Sequence, residues 1–347
     1  MRKWSLFLML AVMLAAPMLA CGFPLPAGTQ TMAVEKAVCA ETETAESCQA
    51  RQDAYQLMGQ LQSASVEDLT MAMIVNDGET NTEVNIKGSF DYVATDSVEG
   101  LGANVYARLD EGTMVDEDGT ESLSGAEFVI IGDTGYSTED GGATWNMETL
   151  DEESLQGLGF ILGLGGIEGS SMDMFSDPTT FTVTVGEPVE MNGQMMQVQT
   201  LTVDLTKLFL NAEALGGLLQ GSMEAGGESM GLSEEDLGGD PAEMAQMAGM
   251  LLPFLTGTSF STTLYIGADD GYIHSVQDNY VFAMDMSAFD PETPAMNMSY
   301  TLSGQIVNHN GAITIEAPTG ATEGGGLFGD SGLFGSAGDV GGGLFGE

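Results

Sequence analysis

The sequence predicts an α+β domain: an antiparallel sheet with one face in water and the other against a few helices. Three observations predict it. Apolar residues alternate with polar ones at Val84, Ile86, Gly88, Phe90 and Tyr92, and again at Met296, Met298, Tyr300, Leu302, Gly304 and Ile306, which is the period of a half-buried strand. The runs Thr206–Leu219 and Met244–Phe254 place their apolar residues at helical spacing instead. With 43% apolar residues in 347 positions, the chain has the material for a sizeable core.

The chain opens with a signal. Arg2 and Lys3 precede an apolar run from Trp4 to Ala16, and Pro17 breaks that run ahead of Met18-Leu19-Ala20-Cys21. The run is shorter than the ~20 apolar residues of a membrane span, and no stop-transfer segment follows, so residues 1–20 read as a signal peptide removed on export. A small residue followed by Cys at this point resembles the lipobox of bacterial lipoproteins. The resemblance implies a diacylglycerol thioether on Cys21, which becomes the new N-terminus and anchors the chain to the extracytoplasmic side of a cell-envelope membrane. Met18 and Leu19 depart from the usual Leu-(Ala/Ser)-(Gly/Ala)-Cys pattern. Ordinary cleavage after Ala20 or within Pro24–Ala27, releasing a secreted protein, is the alternative.

Residues 21–50 read as a tether holding the domain off the membrane, with Pro24, Pro26 and Gly28 followed by a Glu/Thr/Ala stretch without apolar periodicity. If Cys21 is lipidated, Cys39 and Cys48 are the pair left over, and an exported chain permits a disulfide between them. A metal site is the competing reading, which two thiols without a nearby His support poorly.

The folded domain is expected over residues 51–318. A short helix is predicted for Gln52–Gln62, from Tyr55, Met58 and Leu61. The alternation of Leu69, Met71 and Met73, the turn residues Asn76-Asp77-Gly78 and the run Val84–Tyr92 predict a hairpin. Further strands are expected at Asn104–Leu109, Ala126–Ile131, Gly135–Thr138, Thr180–Val185, Gln194–Asp204, Ser261–Ile266, Tyr272–Met284 and Met296–Ile306, with a turn at Asp140-Gly141-Gly142 leading into Thr144-Trp145. Helices interrupt the strands at Leu150–Leu164, Thr206–Leu219 and Met244–Phe254, the last opened by Asp240-Pro241-Ala242-Glu243 as N-cap acid, Pro at the first helical position and Glu in the first turn. Residues 319–347 carry Gly-Leu-Phe-Gly three times and read as a disordered Gly-rich tail, because such a segment buries too little to offset its ordering entropy.

Charge narrows the function classes. The chain has 7 Lys+Arg against 52 Asp+Glu, and removing the signal takes away Arg2 and Lys3 but no acid. A surface this acidic repels phosphate backbones, which excludes nucleic acid as a partner. Its acids are spread over turns, as in salt-adapted proteins. One run, Asp116-Glu117-Asp118-Gly119-Thr120-Glu121, has the carboxylates of a calcium loop without the spacing of an EF-hand; a solvated acidic turn is the plainer reading.

Motifs for catalysis are missing. The two histidines, His274 and His309, fall in a strand pattern and a turn, and no nucleophile elbow, Walker A, His-Glu-x-x-His or Cys-x-x-Cys run occurs. The expectation is a protein that is not an enzyme and holds no cofactor or metal. Met244, Met247 and Met250 have a spacing that suits Cu(I), but methionine more simply supplies a soft apolar surface.

Two stretches carry a family resemblance. Gly132-Asp133-Thr134-Gly135-Tyr136-Ser137-Thr138-Glu139-Asp140-Gly141-Gly142-Ala143-Thr144-Trp145 is similar to the Gly–Tyr…Gly…Trp hairpin of the LolA/LppX-like (LppX/LprG-type) bacterial lipoproteins. Thr263-Leu264-Tyr265-Ile266-Gly267-Ala268-Asp269-Asp270-Gly271-Tyr272-Ile273-His274-Ser275-Val276 resembles a second hairpin of that family, and Ile313–Pro318 its ending. The resemblance implies a strongly curved antiparallel β-sheet, a half-barrel, wrapped around a few helices that enclose an apolar cavity. It further implies a lipid or acyl-chain ligand there. On this reading the cavity candidates are Leu158, Ile161, Leu208, Phe209, Leu215, Met244, Met247 and Leu251. A surface lipoprotein with a packed core and no ligand is the alternative.

Overall fold

The structure is a computed structural model that describes residues 38–76, 80–95, 102–116, 119–150, 177–210, 257–284 and 295–324. Its described strands form one open, curved sheet. In chain order the elements are helix α1 (Ala45–Met58), strands β1 (Ser63–Asn76), β2 (Asn81–Ala94), β3 (Ala103–Asp116), β4 (Gly119–Leu123), β5 (Ala126–Ile131), β6 (Thr134–Thr138), β7 (Asn146–Thr149), β8 (Phe181–Val185), β9 (Val189–Met191) and β10 (Gln194–Val203), helix α2 (Leu205–Leu210), and strands β11 (Ser259–Gly267), β12 (Ile273–Met284), β13 (Met296–Val307) and β14 (Thr322–Glu323).

The strand order β14-β7-β6-β5-β3-β2-β1-β13-β12-β11-β10-β8 shows how the chain builds the sheet. It starts in the middle at β1 and winds outward to β7. It resumes at the far edge with β8 and winds back, so that β13 closes against β1. The pairings along this path are antiparallel except β14 with β7, which is parallel; the expectation of a purely antiparallel sheet is corrected at this edge. The chain returns to β7 from β13 in the middle of the sheet, and a long return of that kind can run parallel where a tight hairpin cannot.

Period-two alternation decides which side chains face inward. On β13, Met298, Tyr300, Leu302 and Ile306 are buried, while Asn297 before them and Thr301 among them are exposed. On β1 the inward set changes phase, from Ala64 and Val66 to Leu69, Met71 and Met73. A bulge between Val66 and Leu69, with Asp68 at φ 51°, absorbs the extra residue. Opposite it, Gly88 sits where the backbone of β3 comes close: a Cβ there would run into the Arg108 carbonyl oxygen.

Helix α1 begins at Ala45 rather than Gln52. Thr44 caps it, its Oγ1 accepting from the Ser47 N–H at 3.2 Å. Residues assigned to the tether are therefore part of the fold. Cys39 and Cys48 are joined by a disulfide with Cα atoms 5.3 Å apart. Beside it Arg51 donates to Glu43 Oε2 at 2.6 Å and to the Val38 carbonyl at 2.9 Å, and it lies 5.7 Å from the Phe181 ring centroid. Glu43 and Arg51 are both removed from water. The acidic run at 116–121 falls at the tip of the β3–β4 hairpin, where Asp116 pairs with Gly119 and Thr120 with Val115.

Candidate functional site: the apolar face of the sheet

The inward phases of the strands combine into one apolar face. Val66, Leu69, Met71 and Met73 of β1 lie between Phe90 and Tyr92 of β2 on one side and Tyr300, Leu302 and Ile306 of β13 on the other. Val276 and Tyr280 of β12, Leu264 of β11 and Leu201 of β10 continue the same cluster. Helix α1 covers one end of it with Ala54, Tyr55 and Met58. Gln199 fixes that helix by donating from Nε2 to the Ser47 carbonyl at 3.0 Å. Along β1, Met71 and Met73 are half-buried, and beyond them, nearer the β1–β2 tip, Val75 and its partner Met298 are buried.

A polar group is set into this face. Asp278, on the inward phase of β12, accepts a hydrogen bond at Oδ1 from Thr262 Oγ1 at 2.6 Å. Thr262 Oγ1 in turn lies 3.0 Å from the Tyr280 hydroxyl. Burial pushes the Asp278 carboxyl up to about 7, against the pull of hydrogen bonds to it from Thr262 and Tyr280. Tyr300 stacks on Tyr280, with ring centroids 5.9 Å apart and planes 8° apart. Its hydroxyl is raised by burial first and by the Asp278 charge second. Asp278 Oδ2 and the Tyr300 hydroxyl are buried without a hydrogen-bond partner.

Of the residues singled out from the sequence, Leu208 is buried in α2, whose first turn is held by Asp204 accepting from the Lys207 N–H at 3.2 Å. Phe209 belongs to the same helix. Leu158, Ile161, Leu215, Met244, Met247, Leu251 and the anchor Cys21 lie outside the described residues, as do the remainder of Thr206–Leu219 and all of the Met-rich helix. Sequence reasoning missed Asp278 and Tyr300 as a pair. The signal was present: Val276, Asp278, Tyr280 and Phe282 share one strand phase, and an acid on an apolar phase is conspicuous.

A groove among the described residues lies on the other face. After β13, Asn310 accepts from the Gln62 N–H at 2.7 Å and the Gly311 carbonyl from Ser63 Oγ at 2.7 Å. From there the chain runs extended across the outer side of the sheet to β14. Beneath it is a groove of about 680 Å³ between Ile315, Glu316 and Pro318 of this strap and Asp91, Tyr106, Val129 and Trp145 of the sheet. Tyr106 donates to Glu127 at 2.9 Å, and its hydroxyl is pushed up to about 12 by burial and by that carboxylate. Asp140 holds the turn before Trp145: Thr144 donates to it from N–H at 2.9 Å and from Oγ1 at 2.6 Å, and Thr138 Oγ1 donates at 2.7 Å. These bonds hold its carboxyl down at about 2.

The two histidines sit together at the β11–β12 end. His274 Nε2 is 3.0 Å from Asp270 Oδ2, and the His309 ring stacks on Tyr272 at 4.7 Å. Among the described residues no group of three or more His, Cys, Asp or Glu is placed to hold a metal ion.

Several solved structures are similar to this one at low sequence identity. LprF from Mycobacterium bovis is 13% identical, with 78% of this chain and 96% of that chain covered at a TM-score of 0.36. LppX from Mycobacterium tuberculosis is 9% identical over 77% and 97%, at 0.30. A putative outer membrane lipoprotein-sorting protein domain from Vibrio parahaemolyticus is 8% identical over 79% and 93%, at 0.21. In fold, the chain resembles the LolA/LppX-like lipoproteins. No protein-family model matches it, and neither does any curated protein. At this degree of similarity a ligand does not transfer from neighbour to chain.

Proposed function

We propose that the protein is an exported lipoprotein, anchored through Cys21, that binds a lipid or acyl chain against the inward face of its sheet and has no catalytic role. The observation that carries this reading is the continuity of that face. The apolar inward phases of β1, β2, β10, β11, β12 and β13 form one cluster, against which Met71 and Met73 pack half-buried. An acyl chain gains ~0.8 kcal/mol per methylene buried, so a surface of this kind needs no strong polar contact to retain it. The half-buried methionines suit the role, since an unbranched thioether side chain adapts to varied apolar shapes. The signal peptide and lipobox-like Cys21 put such a face beside a membrane, where lipids are available.

The test uses two adjacent residues of β1. Met73 is on the inward face and Ile74, 41% exposed, is on the outer one. Uptake of a fluorescent fatty acid is expected to be lost in Met73→Asp and kept in Ile74→Asp. Equal uptake by both variants would remove the inward face from consideration.

One observation favours a second reading, a surface lipoprotein with a packed interior. The groove formed among the described residues is on the outer face and is lined by carboxylates and hydroxyls as well as apolar groups. That reading predicts no fatty-acid uptake by the unmodified protein.

A further inference from the structure

Asp278 and Tyr300 are two hydrogen-bonding groups left incomplete side by side in an apolar surface. Their strands pair directly: Asp278 is opposite Leu302 and Tyr280 is opposite Tyr300, so Asp278 and Tyr300 are diagonal neighbours on the inward face. Both are almost wholly buried, at 2% and 1% exposure. Their positions are fixed from outside the pair, Asp278 by hydrogen bonds from Thr262 and Tyr280 and Tyr300 by its stack on Tyr280. They are close enough for the Asp278 charge to act on the Tyr300 hydroxyl, yet they do not bond each other. Leaving one buried polar atom unmet is already costly, and two unmet atoms on diagonal neighbours of one face call for a third group between them.

The chemistry of that group follows from what each atom offers. Asp278 Oδ2, in the ionised form, accepts a proton donor. The Tyr300 hydroxyl has a proton to give and accepts less readily beside a carboxylate. A group that both donates and accepts through one atom is an alcohol. An ammonium has no lone pair for Tyr300, and an ester has no proton for Asp278. A phosphate head is disfavoured further. Lys87 and Arg108 have the outward phase of β2 and β3, Arg51 is held by Glu43, and the chain carries a formal charge of −45.

We propose that Asp278 and Tyr300 form the head-group site of the apolar face and select neutral lipids bearing a free hydroxyl, such as long-chain alcohols or acylglycerols. The ligand hydroxyl donates to Asp278 Oδ2 and accepts from Tyr300, and its alkyl part lies along Leu302, Met71 and Met73. This rests on the lipid-binding reading above, and the experiment separates the two.

The full mature chain is loaded with the apolar fluorophore N-phenyl-1-naphthylamine at pH 8. Three competitors of equal chain length are then titrated in: monolauroylglycerol, methyl laurate and lauroyl lysophosphatidylglycerol. Monolauroylglycerol is expected to displace the probe about tenfold better than the other two, the scale of one well-made buried hydrogen bond. Tyr300→Phe, which keeps the stacked ring, and Asp278→Asn are each expected to remove that advantage while leaving methyl laurate unchanged. Equal displacement by alcohol and ester in the unmodified protein, or an advantage that survives Tyr300→Phe, overturns the head-group site and leaves lipid binding standing. An ordered water alone joining the two atoms predicts that same equality. No uptake of the probe, or of any competitor, by the unmodified protein overturns the lipid-binding reading itself.

Discussion

Arg51 and Glu43 meet with both charges out of water, each the other's counter-charge, with Ala40 N–H and Ser47 Oγ also donating to Glu43. Arg51→Ala leaves a buried carboxylate without its partner and is expected to cost about 3–5 kcal/mol in urea unfolding, whereas the double change Arg51→Met with Glu43→Gln is expected to recover much of that loss. A destabilisation below 1 kcal/mol for the single variant would show that the pair contributes little. Asp278 makes a prediction of the opposite kind. Its folded carboxyl titrates near 7 against an ordinary value of 3.8. Between those values the unfolded chain has given up its proton and the folded chain has kept it, so stability falls as pH rises through this window and levels off above about 7. Asp278→Asn removes the penalty: its thermal midpoint should gain on that of the unmodified protein from pH 4 to pH 7 and then run parallel. A constant gap would place Asp278 in contact with solvent. These residues also mark where reading the sequence stopped. Tyr300 was recognised as inward-facing, because its neighbours alternate cleanly. Asp278 was passed over as one acid among 52, since only the pairing of β11, β12 and β13 puts it beside Thr262 and Tyr300.

At the scale of elements, the disulfide and the bulge do most to set local geometry. Cys39 and Cys48 are 9 residues apart, and a loop of that size restricts the unfolded chain by roughly 2.5 kcal/mol on the chain-entropy account. Replacing both with Ser should lower unfolding free energy by about that amount and leave the sheet's circular dichroism unchanged; an unchanged midpoint would mean that α1 is positioned without the bridge. Gly88 faces the β3 backbone so closely that Gly88→Ala forces the strands apart. Its expected loss of 1–3 kcal/mol, typical of overpacking, is to be compared with Gly193→Ala in the exposed β9–β10 turn, where only the positive φ is strained. Strands were the legible elements, because each half-buried strand repeats its signal every second residue. The start of α1 was not legible. Its first turns carry Glu46, Ser47 and Gln49 in place of apolar residues, and its inward side is built from Cys48, Arg51 and Ala54. Here a bridge, an ion pair and a cap take the place of an apolar stripe. The β3–β4 hairpin was hidden for a related reason: its acids resemble a loop, and β-pairing at a sheet's rim tolerates them.

At the scale of the whole molecule, alternation predicts a sheet but not the order of its strands. That β1 and β13 become neighbours follows from the chain winding out from the centre and returning from the far edge, a long-range closure that no local pattern encodes. The order matters for function because it merges the two meanders' apolar phases into one face, with Met71 and Met73 of β1 beside Tyr300 and Leu302 of β13. The strap over the outer face was visible in the sequence only as a closing Ile313–Pro318 stretch, and its groove is a product of tertiary path. The central claim, that the inward face holds a lipid, is tested most directly by native mass spectrometry of the mature protein purified without detergent from a lipid-containing host. The account predicts a mass above that of the polypeptide, released by organic solvent and identifiable as a lipid. A polypeptide-only mass that takes up none of the lipids offered to it would contradict the account and leave a surface lipoprotein with a packed interior.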